Sequence, residues 1–203
     1  MSAFRIIRVA AVASIAALGT AVILFSLLPP PAKQQAESVP IGGPFELVDQ
    51  DGTKVTDKTF AGKPSVIFFG YTSCPDACPT TLSGLSTWLK AIGPAADKLN
   101  VLFITVDPER DTSARLKEYL SSFDPRIRGL TGTGEQIAAV AKEYRIYYKR
   151  IYYKPIELKE SGYAIDHTAV IYLMDRAGKF VNPISLQTDD KIAIERLRQL
   201  AAL

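Results

Sequence analysis

Cys74, Cys78 and His167 carry all the thiol and imidazole chemistry of this 203-residue chain. The cysteines stand four apart in Gly70-Tyr71-Thr72-Ser73-Cys74-Pro75-Asp76-Ala77-Cys78-Pro79. Positions i and i+4 of a helical turn are close enough to share a ligand or to form a strained disulfide. A purely stabilising disulfide is a poor use of such a pair, because so short a loop constrains the unfolded chain little. Two chemistries remain open: thiol–disulfide exchange and metal binding. Two cysteines are too few for an all-thiolate zinc site or a disulfide framework. Soft thiolates suit Cu(I), and imidazole suits copper and zinc, so two sulfurs with one imidazole make a three-coordinate set that fits copper.

A lone histidine is usually structural. His167, in Asp166-His167-Thr168, directly precedes the apolar run Ala169–Met174. A histidine at the entry to a strand can meet a loop at the end of a neighbouring strand. Asp166 is placed either to orient the ring or simply to sit in a surface turn.

The elements that must position these groups are readable from hydrophobic period. Ser65–Gly70 (SVIFFG) and Val101–Val106 (VLFITV) are short apolar runs of the kind buried on both faces of a sheet. The cysteine segment follows the first run and leads into helical spacing from Thr80 to about Ala96, with Leu82, Leu85, Trp88, Leu89 and Ile92 on one face. That is the carboxyl end of a central strand, where open α/β sheets carry function. A helix N-terminus there favours a thiolate through its free N–H groups and partial positive charge. Phe45–Val48 and the run to Val55 flank Asp51-Gly52 as a hairpin. Helices are expected over Thr112–Ser122, with Asp111 as N-cap, over Gly134–Tyr144 and over Asp189–Ala202. Ala169–Met174 and Phe180–Ile184 are strands joined by a turn at Asp175-Arg176-Ala177-Gly178. Between them and the third helix lies Arg145–Lys159, an excursion or hairpin with Tyr147, Tyr148, Tyr152 and Tyr153 among basic residues. This segment is either core and solvated face or a docking surface for an acidic partner. The order of elements implies a layered α/β domain with a mixed sheet.

The first 43 residues are of another kind. Val9–Leu28 is 20 residues without a charge, preceded by Arg5 and Arg8. As a helix it spans about 30 Å, the thickness of a bilayer core. The run is too long for the apolar region of a cleaved signal peptide and too apolar for a core helix of so small a domain. No cysteine follows it to carry a lipid. The expected organisation is a cytoplasmic N-terminus at 1–8, a transmembrane anchor at 9–28, a Pro- and Gly-bearing linker at 29–43 and an α/β domain at 44–203. The net charge of +3 belongs partly to that N-terminal stretch. Without Arg5, Arg8, Lys33 and Glu37 the domain keeps 21 basic and 20 acidic residues, so it lacks the basic surplus of a nucleic-acid binder.

Three ordered motifs, GYTSCPDACPTTL at Gly70–Leu82, VDPERDT at Val106–Thr112 and DHTAVIYLMDRAGKF at Asp166–Phe180, resemble the Sco/SenC family of membrane-anchored copper-binding proteins. The resemblance covers most of residues 43–203. It implies a thioredoxin-like mixed sheet with flanking helices and an extra N-terminal β-hairpin. It implies one copper, Cu(I) or Cu(II), on Cys74, Cys78 and His167. It also implies a role in building the CuA site of cytochrome c oxidase subunit II, by delivering copper or by reducing that site's cysteines. Ser73 stands where many relatives carry histidine, which removes one auxiliary imidazole without touching the three ligand positions. Asp107 to Asp111 form either a strand-to-helix turn or a lining of the metal loop. A copper donor protein and a thioredoxin-like reductant are the further partners expected. The expected setting is a bacterial inner membrane with the domain in the periplasm, ahead of a mitochondrial inner membrane. The rival to a metallochaperone is an enzyme whose Cys74–Cys78 pair performs thiol–disulfide exchange, with a redox sensor or peroxidase as variants.

Overall fold

The computed structural model describes residues 40–152 and 162–203. The expected anchor at 9–28, the segment 1–8 and most of the linker lie outside the described residues, as does Tyr153. Among the described residues no helix is long and apolar enough to cross a membrane.

The hairpin around Asp51-Gly52 forms as expected, with β1 (Glu46–Asp49) antiparallel to β2 (Lys54–Thr56). Gly52 takes φ +82°, the left-handed region that a tight turn requires. The two apolar runs become β3 (Ser65–Gly70) and β4 (Asn100–Thr105), paired in parallel from Ser65↔Asn100 to Gly70↔Thr105. Every residue of β3 is buried, which is why its sequence shows no alternation. Between them runs α1 (Ala77–Ile92), three residues earlier at its start than the hydrophobic spacing indicates. Gly93 at φ +61° ends it, and a 3-10 turn follows at Gly93–Lys98.

The chain continues through α2 (Ser113–Leu120), β5 (Ile127–Thr131) and α3 (Gly134–Glu143). The N-cap of α2 is Thr112, whose hydroxyl accepts from the Arg115 N–H, and not Asp111. Asp111 is wholly buried and turned the other way. The Tyr-rich segment forms β6 (Tyr148–Tyr152), paired antiparallel with β7 (Tyr163–His167) in a separate two-stranded sheet. β8 (Val170–Met174), β9 (Phe180–Ser185) and α4 (Asp190–Ala202) complete the chain.

The main sheet has the order β2-β1-β5-β4-β3-β8-β9. β3, β4 and β5 are mutually parallel, while β8 runs antiparallel to β3 with Phe68 opposite Ile171. Pro183, which cannot donate to a ladder, is tolerated because β9 is an edge strand. α1 packs against α4 and α2 against β5. The core they enclose includes Phe68, Phe69, Phe103, Leu82, Leu85, Leu89, Ile104 and Leu116. One consequence of the topology matters most for function. Because β8 is antiparallel to β3, it starts at the edge of the sheet where β3 finishes. The residues just before β8 therefore face the loop just after β3.

Candidate metal centre

That edge brings together the three residues singled out by type. The ligand-capable atoms of Cys74, Cys78 and His167 all lie within 4.8 Å of one another. Donors bonded to one ion at roughly 2.0–2.3 Å stand no more than about 4.6 Å apart, so this group needs little rearrangement to hold one. Both thiols are free. Cys78 is wholly buried, whereas Cys74 and His167 are partly exposed.

The cysteines do not share a helix face, because Cys74 precedes α1 and Cys78 lies in its first turn. They meet because Cys74 acts as a cap. The Cys78 backbone N–H, one of the unpaired donors of the helix start, points to Cys74 Sγ at 3.4 Å. Asp76, at the N-cap position, makes no capping hydrogen bond with its side chain.

Electrostatics divide the two sulfurs. The hydrogen bond from the Cys78 thiol holds the Cys74 thiol well below the ordinary range, with further help from the backbone N–H groups of Cys78 and Asp76. The same bond, together with burial, pushes Cys78 well above it. Both effects favour the proton on the buried sulfur over the partly exposed one. Metal-free, reduced protein at neutral pH should accordingly be alkylated by iodoacetamide at Cys74, with Cys78 spared. Peptide mass mapping checks this, and equal labelling of both would contradict it.

His167 ends β7, three residues ahead of the start of β8 at Val170. Its Nδ1 lies 3.1 Å from the Thr168 carbonyl. A carbonyl only accepts, so Nδ1 carries the proton and Nε2 presents a lone pair to the sulfurs, 3.4 Å from Cys78 Sγ. Asp166 is exposed and takes no part. The imidazole packs edge-on against Tyr71, with ring centroids 5.7 Å apart. Burial raises the Tyr71 hydroxyl to about 12, so it stays protonated while it accepts the Ile165 N–H.

Several residues that shape the site are not chemical by type and were not singled out for it. Gly70 ends β3 with no room for a side chain. A Cβ there would stand 2.8 Å from Cys78 Sγ and 2.8 Å from the Phe103 ring. Gly70→Ala should therefore displace Cys78 at an overpacking cost of about 1–3 kcal/mol. Lower copper retention and an earlier thermal midpoint would show it.

The motif Val106–Thr112 is more than a turn. Asp111 accepts from the Thr72 N–H at 2.9 Å, the Thr72 hydroxyl at 2.6 Å and the Thr105 hydroxyl at 2.6 Å. It thereby fixes the start of the cysteine loop to the end of β4. Asp107 is also wholly buried and accepts from Arg110 Nε and from the Tyr163 hydroxyl, the latter at 2.8 Å. Arg110 in turn donates to the Tyr163 carbonyl at 3.2 Å and stacks over its ring at 3.9 Å. This one motif thus ties down both the loop that carries the cysteines and the strand that carries His167.

A mixed sheet whose central order β4-β3-β8-β9 carries a Cys-x-x-x-Cys helix start beside an imidazole defines a thioredoxin-like domain with a candidate metal centre. The family model SCO1/SenC matches residues 33–202, and the chain belongs to that family. It is similar to the solved structure of Bradyrhizobium japonicum ScoI with copper bound, with 52% identity and a TM-score of 0.71 over 79% of this chain and 99% of that one. It is 42% identical over 159 residues to the mitochondrial protein SCO1 of Saccharomyces cerevisiae, covering 77% of this chain and 52% of that protein. The chain thus spans about half the yeast protein's length. A SCO2-like protein of Rickettsia conorii is 38% identical over 162 residues, 80% of this chain and 78% of that one.

Proposed function

We propose that the chain is a copper metallochaperone in which Cys74, Cys78 and His167 hold one copper, as Cu(I) or Cu(II). Its acceptor is the CuA site of cytochrome c oxidase subunit II. The observation that carries this reading is the aim of the imidazole. Thiol–disulfide exchange needs two sulfurs only, yet here Nδ1 is tied to a carbonyl and Nε2 points at them. Relatives solved with copper bound support the identity of the cargo.

Loading begins at Cys74, whose thiolate is favoured, and displaces the proton held on Cys78. Release starts from the same open side. A thiolate of the acceptor enters on the open side, where Cys74 and His167 reach solvent, and the buried Cys78 lets go last. The thiols must be reduced for each round, so a thioredoxin-like reductant and a copper donor protein are partners. Residues 9–28 anchor the chain in a bacterial inner membrane with residues 44–203 in the periplasm. That anchoring confines chaperone and acceptor to two dimensions and raises their effective concentration.

A second reading has its own support. The low Cys74 and its buried partner suit an attacking and a resolving thiol, so the pair could reduce the acceptor's cysteines. Titrating reduced protein with Cu(I) and Cu(II), beside Cys74→Ser, separates the two. One copper per chain, with a thiolate-to-copper absorption band weakened by the substitution, supports the chaperone. No specific copper with ready disulfide exchange would assign the oxidoreductase.

A further inference from the structure

The two halves of the metal centre are anchored differently. Cys78 lies in the first turn of α1 and is wholly buried. His167 ends a two-stranded sheet that shares no ladder with the main sheet among the described residues. Where the imidazole stands relative to the sulfurs therefore depends on what fastens β7 to the body of the domain.

One face of the hairpin makes that attachment. Tyr163, Ile165 and His167 alternate along β7 and share the face that Tyr148, Arg150 and Tyr152 present from β6. Ile165 is buried, and its N–H donates to the Tyr71 hydroxyl at 3.2 Å. The loop after β4 meets this face with three charged side chains. Glu109 pairs with Arg150 at 2.7 Å, but Glu109 is largely exposed, and exposed pairs hold little. Asp107 and Arg110 differ, because Asp107 is wholly buried and the Arg110 side chain only 19% exposed. The Asp107 carboxylate accepts from Arg110 Nε and from the Tyr163 hydroxyl, the latter at 2.8 Å. Arg110 Nη1 donates to the Tyr163 carbonyl at 3.2 Å, and its guanidinium lies 3.9 Å from the centre of the Tyr163 ring.

Asp107 and Arg110 stand three apart in one loop, so they could pair without β7. Both nevertheless direct their remaining groups to a single residue of that strand. A pair withdrawn from water is stiff, since breaking it leaves a charge uncompensated. The same guanidinium lies 5.7 Å from the centre of the Tyr71 ring, and that ring stands edge-on to the imidazole. One side chain thus meets both the strand that carries His167 and the ring that packs against it.

We propose that Arg110, held by Asp107, is a positioning residue for the imidazole: by clamping Tyr163 it fixes β7 and so sets the reach of His167 Nε2 toward the sulfurs. Its effect on copper rests on the metal-binding reading above, whereas the positioning itself needs no metal. Lysine at 110 would keep a charge against Asp107. It has no flat face to stack and no fork that reaches a carboxylate and a carbonyl at once. Tyr163→Phe is milder, because it removes the hydroxyl donor and keeps the ring.

The test uses the full chain, reduced and in detergent, as wild type, Arg110→Lys and Tyr163→Phe, each also combined with His167→Ala. Cu(I) affinity is read by competition with a chromophoric chelator. With His167 present, Arg110→Lys should lose about tenfold and Tyr163→Phe less, the low end of the range for groups that orient a metal ligand. With His167→Ala the same substitutions should change affinity by less than about twofold, since the residue they act through is gone. Equal losses in both backgrounds would make Arg110 a general support of the fold and overturn the proposal, as would no loss in either. A second readout needs no copper. His167 is the chain's one histidine, so 15N-histidine labelling reports a single ring. In metal-free, reduced protein its ring signals should move in Arg110→Lys, and unchanged signals would overturn the proposal. A wild-type chain that binds no copper, with ring signals still moved by Arg110→Lys, would refute metal carriage and leave the positioning role standing.

Discussion

His167→Ala is expected to lose copper while keeping thiol chemistry. In the proposed site the ring is one of three donors, and Nε2 has no competing partner among the described residues beyond the sulfurs it faces. Removing even an outer partner of a metal ligand typically costs about 10–100-fold in affinity, so removing the ligand itself should cost more. The thiolate-to-copper band should weaken and shift. Disulfide exchange should stay near the wild-type rate, because the Cys78 hydrogen bond is what chiefly holds Cys74 low. A variant with full copper affinity that still supports oxidase assembly would remove the imidazole from the mechanism. A variant that loses exchange as well would mean that the ring serves the thiols.

Asp111→Ala should destabilise the whole domain and loosen the site together. Three donors, the Thr72 N–H, the Thr72 hydroxyl and the Thr105 hydroxyl, lose their acceptor in a place without exposed surface. The hydroxyls can turn elsewhere but the N–H cannot, which sets the cost at about 2–4 kcal/mol. For a domain of this size that is a fall of roughly 5–15 °C in Tm. Thr72 stands two residues before Cys74, so copper affinity should fall beyond what lower stability explains. Asp111→Asn discriminates between packing and hydrogen bonding. Its amide oxygen can keep the Thr72 N–H and Thr105, while its NH2 donates to a turned Thr72 hydroxyl. Stability should then return most of the way. A thermal melt and a copper titration on both variants check this, and equal loss in both would point to charge rather than to the accepted hydrogen bonds.

Local signals in the chain determined much of this. The unalternating runs at Ser65–Gly70 and Val101–Val106 marked buried parallel strands, because a strand covered on both faces needs no polar side. Asp51-Gly52 marked the hairpin, because few residues accept its backbone angles. The cysteine pair announced chemistry through its spacing and its place at a strand end, and the three motifs together pointed to the family that now holds the chain. Residue type and near-neighbour geometry suffice for such features.

What only the tertiary structure decided depends on contacts between distant residues. Asp111 has the position of an N-cap, yet Thr112 takes that place. The donors that claim Asp111 come from Thr72 and Thr105, and no local rule sees Thr72, 39 residues away. Tyr148 and Tyr152 read equally as core or surface until the pairing of β6 with β7 put both on the face of His167. Gly70 looks like any strand-ending glycine until Cys78 and Phe103 close on it. The same holds for the imidazole. Its type made His167 a candidate, but it meets the sulfurs only because β8 lies antiparallel to β3. That pairing places the chain before one strand against the loop after the other, and the Thr168 carbonyl then turns Nε2 toward the thiols.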